Sequence, residues 1–315
     1  MIKTTYANNK SWPEINAALP QPCRLTDAAP LTEETFAWQG HAIHLDRFVL
    51  PNAPFKVLLT HGVAGNARLL SGLIGAPLYD RGVESVAMDF LGLGETHTRK
   101  GHAPSYKDWV EQTKALIVHE AERDNRPLIV FGFSTGGMVA YEAIAQIGGV
   151  SGLAGNCFID TRNIDTVKQI VRTPFIASMG PFQEVVTALA PGLKAPIRAV
   201  VKAQALCNKT KLQNACLRDR TGLGAWVTNR FLLTLSKLNL SVEPEDFDKC
   251  PILLTAGNAD RWTPEHLSRL FLDRAPGTFQ RVERLSGTGH LPDTESAVEQ
   301  LAESLIAFAK TCIAR

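Results

Sequence analysis

The residue of this chain best placed for covalent chemistry is the serine of Gly132-Phe133-Ser134-Thr135-Gly136. The pentapeptide follows the strand-like PLIVF and opens the helical MVAYEAIAQI, the strand-turn-helix context a nucleophile elbow needs. A serine on so sharp a turn is strained, and bulk at Gly132 or Gly136 would strike the adjoining strand and helix. Its hydroxyl is a weak nucleophile near neutral pH and needs a neutral imidazole to take the proton. His290, in the Gly-flanked loop SGTGHLP between the strand-like FQRVERL and the last helix, is the leading base among eight histidines. His97, His102, His119 and His266 read as exposed loop or helix residues, and His41 and His44 as hairpin residues. The imidazole must itself be oriented by a carboxylate. Asp260 in PILLTAGNADRWTPE lies just past a buried strand, in a turn before a Pro-started helix, which makes it the leading acid. Asp160, at the end of GLAGNCFID, is its rival, and Asp293 falls where a helix N-cap is expected.

These residues need a sheet edge to bring them together. Short apolar runs at 57–62, 85–90, 127–133 and 251–257 alternate with helix-length segments, as buried parallel strands do in β-α units. The expected helices are 66–80, 105–124, 135–147, 264–274 and 293–313, giving an α/β class with a mostly parallel, doubly wound sheet. Residues 35–50 alternate around a glycine and read as an antiparallel edge hairpin. Residues 1–33 read as an irregular arm with little chemistry. The strand-helix rhythm breaks over 161–248, where stretches such as 225–238 read as long helices. That segment is expected to be an inserted helical cap on a core made of 34–160 and 249–315.

The order Ser134, Asp260, His290 is the Ser…Asp/Glu…His order of the α/β-hydrolase family, which the chain resembles from about residue 35 to 313. HGVAG at 61–65 is similar to that family's HG oxyanion loop, and DFLGLGET at 89–96 to its D-x-x-G-x-G-x-S/T segment. Carried over by motif, the resemblance makes the backbone N–H groups of Val63 and Thr135 the oxyanion hole and leaves His61 structural. The helical cap makes the chain similar to the monoacylglycerol lipase and lysophospholipase-like branch. The elbow departs from that branch, with Phe133 and Thr135 where His and Met are frequent, and HGVAGNA lacks its usual Glu-His pair. The resemblance implies a serine hydrolase that cleaves esters of hydrophobic acyl groups through an acyl-enzyme. The same triad also serves thioesterases, acyltransferases and C–C bond hydrolases, and a ligand receptor on this fold is the reading from another class.

The 315 residues are 45% hydrophobic and 20% charged, which excludes disordered and fibrous classes. A formal net charge of +2 is too small for nucleic acid as a whole-chain partner. Charge is uneven, however. Residues 161–241 hold twelve basic side chains against three acidic ones, a local +9 that leaves the rest near −7. The resemblance implies a small acyl ester as partner, while the basic cap reads first as a solvated helical surface and otherwise as a peripheral contact for anionic lipid. Six cysteines form no C-x-x-C pair and no Cys/His cluster at zinc spacing, so no metal or cofactor is expected. Cys207 and Cys216 are the one pair near enough in sequence to consider for a disulfide. Without a secretory or membrane segment, the chain reads as cytoplasmic with reduced, buried cysteines.

Overall fold

The computed structural model describes residues 4–314 apart from 27, 178–179, 276 and 278–279; the side chains of 176–183 and 280 are also outside the description. Residues 1–3 and 27 of the expected arm, 178–179 of the expected cap and Phe279 of the expected last strand therefore lie outside the described residues.

Among the described residues ten strands occur in chain order: β1 (Leu31–Trp38), β2 (His41–Phe48), β3 (Lys56–Thr60), β4 (Glu84–Met88), β5 (Leu128–Gly132), β6 (Gly152–Gly155), β7 (Lys194–Pro196), β8 (Trp226–Thr228), β9 (Ile252–Gly257) and β10 (Gln280–Leu285). Eight of them form one sheet in the order β1-β2-β4-β3-β5-β6-β9-β10. The hairpin β1-β2 is antiparallel and joins β4 antiparallel, while every pairing from β4 to β10 is parallel. The crossings follow from composition. Strands such as KVLLT and LIVFG are buried on both faces, and parallel strands need helical crossovers to cover them.

The expected helices appear close to their sequence bounds. Tyr106–Arg123 starts at a capping box in which Ser105 and Asp108 satisfy each other's backbone N–H groups. Ala67–Leu70 runs through a wider π turn, Ser71–Gly75, into Ala76–Tyr79. The last helix is Glu295–Ile313, and its N-cap is Thr294 rather than Asp293. Asp293 instead accepts backbone N–H bonds from Asn208 and Lys209, both at 2.7 Å, and so ties the last helix to the segment above the sheet.

Two expectations change, and the reading of the cysteines as reduced does not. The arm is ordered: it carries the helix Trp12–Ala18, and its Tyr6 hydroxyl donates to both carboxylate oxygens of Asp89 at 3.1 and 3.0 Å. The stretch 225–238 is a helix only over Asn229–Ser236, because Trp226–Thr228 pairs antiparallel with Lys194–Pro196. Cys207 and Cys216 are both buried thiols with no bridge between them.

Between β6 and β9 the chain leaves the sheet and returns. This excursion is stapled down at several points, among them Thr228 Oγ1 donating to the Pro104 carbonyl at 2.6 Å and Leu291 N–H to the Leu206 carbonyl at 2.9 Å. The carboxyl ends of β3, β5, β6, β9 and β10, neighbours in the sheet, lead into the loops holding Val63, Ser134, Asn156, Asp260 and His290. Open parallel sheets place ligands at this edge.

Candidate active site

Ser134 has φ 56° and ψ −128°, a conformation that non-glycine residues seldom adopt. The strain is held by close packing on every side. A Cβ at Gly132 would lie 2.4 Å from the Gly136 carbonyl oxygen, and one at Gly136 would lie 2.4 Å from that of Thr60. A Cβ at Gly62 would come within 2.5 Å of Ser134 Cβ. Backbone therefore approaches the serine where no side chain fits.

The sequence-derived acid and base meet. His290 Nδ1 lies 2.9 Å from Asp260 Oδ2, with His290 2% exposed. The carboxylate is held by its own loop: Trp262 and Thr263 donate N–H bonds to Oδ1 at 2.7 and 2.9 Å, and the Thr263 hydroxyl donates to Oδ2 at 2.8 Å. Burial alone would raise this carboxyl, but the facing His290 and these hydrogen bonds hold it down at about 2. With Asp260 on Nδ1, the second nitrogen of His290 is directed elsewhere. Nε2 is buried and has no hydrogen-bond partner among the described residues. No hydrogen bond joins it to Ser134 Oγ, although Phe133, next to the serine, packs its ring edge on His290 with centroids 5.1 Å apart. Such nucleophile-base contacts are commonly loose until substrate arrives.

Asp160, the rival acid, does not reach His290. Strand β6 stops at Gly155, so Asp160 sits five residues into a loop, where it forms a two-point ion pair with Arg162.

Two further residues at the site gave little warning in the sequence. The Ser134 N–H donates to Asn156 Oδ1 at 2.5 Å, while Asn156 Nδ2 donates to the His290 carbonyl at 3.2 Å. One amide thus spans the serine turn and the histidine loop. Its only signal was an Asn inside an apolar run. Thr263 Oγ1 lies within 2.9 Å of His290 Nδ1 as well as bonding Asp260.

Val63 and Thr135 flank Ser134 on the wall of one cavity, and neither backbone N–H has a hydrogen-bond partner among the described residues. Thr135 opens the helix Thr135–Ile147, whose N-terminal end favours negative charge. His61 faces away from this chemistry. Its Nδ1 donates to the Gly62 carbonyl at 2.7 Å and its Nε2 accepts the Phe90 N–H at 3.0 Å. Full burial pushes it down to about 4, so it is a neutral brace for the loop before Val63. His41 and His44 lie on β2 as expected. His102 and His119 are half-buried rather than exposed, packing on His41 and Phe36.

The cavity at Ser134 has a volume of about 400 Å³. Its walls are aliphatic, with Met138, Ile170, Val171, Val201, Leu232 and Leu235 representative, and among the described residues no charged side chain lines it. Beneath the site, burial pushes the Cys157 thiol up to about 12, so it does not compete as a nucleophile. Among the described residues one group has metal-ligand spacing, Glu33 with His44 and Asp46. Arg68 already donates to both of those carboxylates, which makes it a salt-bridged cluster.

No curated protein matches the sequence. The chain resembles in fold a monoacylglycerol lipase of Paleococcus ferrophilus, with 17% identity and a TM-score of 0.66 over 86% of this chain and 99% of that one. A soluble variant of monoglyceride lipase from Saccharomyces cerevisiae, solved with a substrate analogue, superposes with a TM-score of 0.74 at 13% identity, over 91% of this chain and 97% of that one. A thermostable carboxyl esterase from Bacillus coagulans, in complex with glycerol, gives 0.68 at 18%, over 90% and 99%. Residues 52–296 match the family model described as serine aminopeptidase, S33. With that match and an eight-stranded, mostly parallel sheet bearing a strained serine at its carboxyl edge, the chain belongs to the serine aminopeptidase S33 family of α/β hydrolases.

Proposed function

We propose that the protein hydrolyses carboxylic esters of hydrophobic acyl groups, with Ser134 as nucleophile, His290 as general base and Asp260 as the carboxylate that orients it. The observation that carries this reading is the cavity: an aliphatic chamber of about 400 Å³ opens onto Ser134. In the first step Ser134 Oγ attacks the ester carbonyl and His290 Nε2 takes its proton. The resulting oxyanion receives the N–H groups of Val63 and Thr135, which are worth most where charge appears only on reaching the tetrahedral state. Its collapse expels the alcohol with the proton from His290, and water then releases the acyl group by the same route.

The lining also selects among related chemistries. An aminopeptidase must hold a substrate α-ammonium, and burying an ammonium without a counter-charge is costly. Among the described residues no carboxylate lines this cavity, which favours a neutral ester over a peptide with a free amino terminus.

Residues 161–248 act in this proposal as a cap that supplies the outer wall through Ile170, Val201, Leu232 and Leu235. Their outer surface is both apolar and basic. Phe175, Leu189, Leu193 and Trp226 are 72%, 83%, 55% and 54% exposed. Arg172, Arg198 and Lys202 form no ion pair among the described residues. Exposed apolar side chains with unpaired cations suit contact with an anionic lipid surface. No helix among the described residues is long and apolar enough to cross a membrane. Cytoplasmic residence is part of the proposal, on the ground that Cys23, Cys157, Cys207, Cys216 and Cys250 are buried thiols.

The test is a panel of p-nitrophenyl esters from acetate to palmitate, run beside monoacylglycerol, lysophospholipid and an aminoacyl p-nitroanilide. Turnover that rises with acyl length and is absent on the anilide supports the reading. Preference for the anilide would reject it.

A further inference from the structure

The carboxylate of Asp219 takes no part in the chemistry assigned to Ser134, His290 and Asp260. It is one of three acidic side chains in the basic segment 161–241, yet it is only 4% exposed. Burial pushes its carboxyl up, and what meets it among the described residues is hydrogen-bond donors rather than a cation. Oδ1 accepts the Thr221 N–H and hydroxyl at 2.9 and 2.7 Å, and Oδ2 accepts Nδ2 of Asn66 at 2.9 Å. A buried carboxylate without a counter-charge is costly, and these donors offset the cost.

Asn66 closes the loop that carries Val63. Its Oδ1 accepts the Leu69 N–H at 2.9 Å and caps the helix Ala67–Leu70, which fixes the amide so that Nδ2 points at Asp219. Main chain packs there as well: a Cβ at Gly222 would lie 2.8 Å from Asp219 Oδ2 and 3.3 Å from the Ala64 carbonyl oxygen. The Asp219 turn is tied down from its other side. The Gly94 N–H donates to the Thr221 carbonyl at 2.9 Å, and Asn9 Nδ2 donates to Glu95 Oε1 and Thr221 Oγ1 at 3.0 and 3.2 Å. At the opposite end of the loop, His61 is braced on the Phe90 N–H. Val63 therefore stands between two buried anchors, one on the sheet and one in the segment above it, and both Val63 and Ala64 line the chamber at Ser134.

We propose that Asp219 is a positioning residue for ester hydrolysis, holding through Asn66 the loop that aims the Val63 N–H at the oxyanion. The inference rests on the reading of Val63 as an oxyanion donor. Such donors act through geometry, so a small displacement of the loop weakens the bond made in the tetrahedral state and leaves the apolar contacts to the acyl chain in place. The signature is a loss in kcat rather than a rise in KM.

The experiment compares ester turnover by the wild type, Asp219→Asn, Asn66→Ser and the double variant Asn66→Asp/Asp219→Asn, each checked for folding by its thermal melt. Asp219→Asn sets an amide donor against the Asn66 donor. Asn66→Ser keeps a helix cap and loses the link to Asp219, so it decides the matter where Asp219→Asn does not fold. The double variant restores the pair with donor and acceptor exchanged. In each single variant kcat should fall about 10- to 100-fold with KM within about twofold of the wild type, and the double variant should recover most of the loss. Affinity for an alkyl trifluoromethyl ketone should fall in proportion to kcat. Ser134 Oγ adds to its carbonyl carbon, the hydroxyl proton passes to His290 and the carbonyl oxygen becomes the oxyanion, so the adduct needs the same donors. Folded single variants with wild-type kcat would overturn the role of Asp219. So would a lowered kcat with unchanged ketone affinity, or a folded double variant no better than the singles. Wild-type ester turnover that survives Ser134→Ala is a different failure, that of the ester reading itself, and it removes this inference as well.

Discussion

The main-chain N–H of Ser134 and the side chain of Asn156 are joined at 2.5 Å, although 22 residues and the whole helix Thr135–Ile147 separate them in sequence. Because the same amide also holds the His290 carbonyl, the serine turn and the His290 loop share one brace. A strained turn keeps its geometry only when its surroundings over-determine it. Asn156→Leu should leave a folded protein whose kcat drops roughly 10²-fold, the scale of an ångström of misplacement, with KM little changed. A variant with normal kcat and a raised KM would assign Asn156 to substrate binding instead.

Ser134→Ala removes the proposed nucleophile and nothing from the core. The expected loss of ester turnover is roughly 10⁴- to 10⁶-fold, the scale of triad deletion in serine hydrolases. Thermal unfolding should barely move. A pure, folded Ser134→Ala sample that still hydrolyses esters at a near-normal rate rules the mechanism out.

Asp260→Asn should damage turnover far more than Asp160→Asn, because only the former changes the partner of His290 Nδ1 and so the tautomer presented to Ser134. Asp160 has Arg162 for a partner, and its loss affects a surface ion pair. The opposite ranking, in two folded variants, would move the acid to the loop after β6.

Asp260 also sets an acid limit on stability. Its folded value of about 2 lies below its ordinary 3.8, so its contribution is present above about pH 4 and is lost as pH falls through about 2. That contribution is on the order of 2 kcal/mol. Denaturant melts of the wild type and Asp260→Asn should therefore differ most near neutrality and converge towards pH 2. A stability gap that stays constant from pH 6 to pH 2 would show that the carboxylate is not held by charge.

The parts of this site that were legible in the sequence are those with local causes. Gly132 and Gly136 betray the elbow because the turn itself excludes side chains, and the Gly/Thr loop around His290 and the Asn/Asp turn around Asp260 are written in consecutive residues. Asn156 was not legible because GLAGNCFID reads as one strand. Its pairing with β5 ends at Gly132↔Gly155, and a neighbouring strand's register is not encoded locally. The same reason hid β8 inside an expected helix: Trp226–Thr228 is extended because Lys194–Pro196 lies alongside, some thirty residues upstream. Tyr6, read as part of an irregular arm, is placed by residues remote in sequence, among them Asp89 and Glu33.

Salt separates a lipid-facing cap from one that is merely solvated. Arg172, Arg198 and Lys202 are unpaired among the described residues, whereas Arg162, Lys168, Arg218 and Lys237 are neutralised by acidic neighbours. Attraction between the unpaired cations and an anionic vesicle falls as the Debye length shrinks from about 10 Å at 0.1 M salt to about 3 Å at 1 M. Vesicle binding should weaken over that range, and replacing all three cations with Glu should lower the binding seen at 0.1 M salt. The exposed Phe175, Leu189 and Leu193 would add an apolar, salt-insensitive component, so residual binding at 1 M salt is expected and should disappear when these are made polar. A short neutral ester in solution meets neither surface, and its turnover should be the same for wild type and the triple-Glu protein. Equal binding to neutral and anionic vesicles, unaffected by salt, would return the cap's positive charge to the role of a solvated surface.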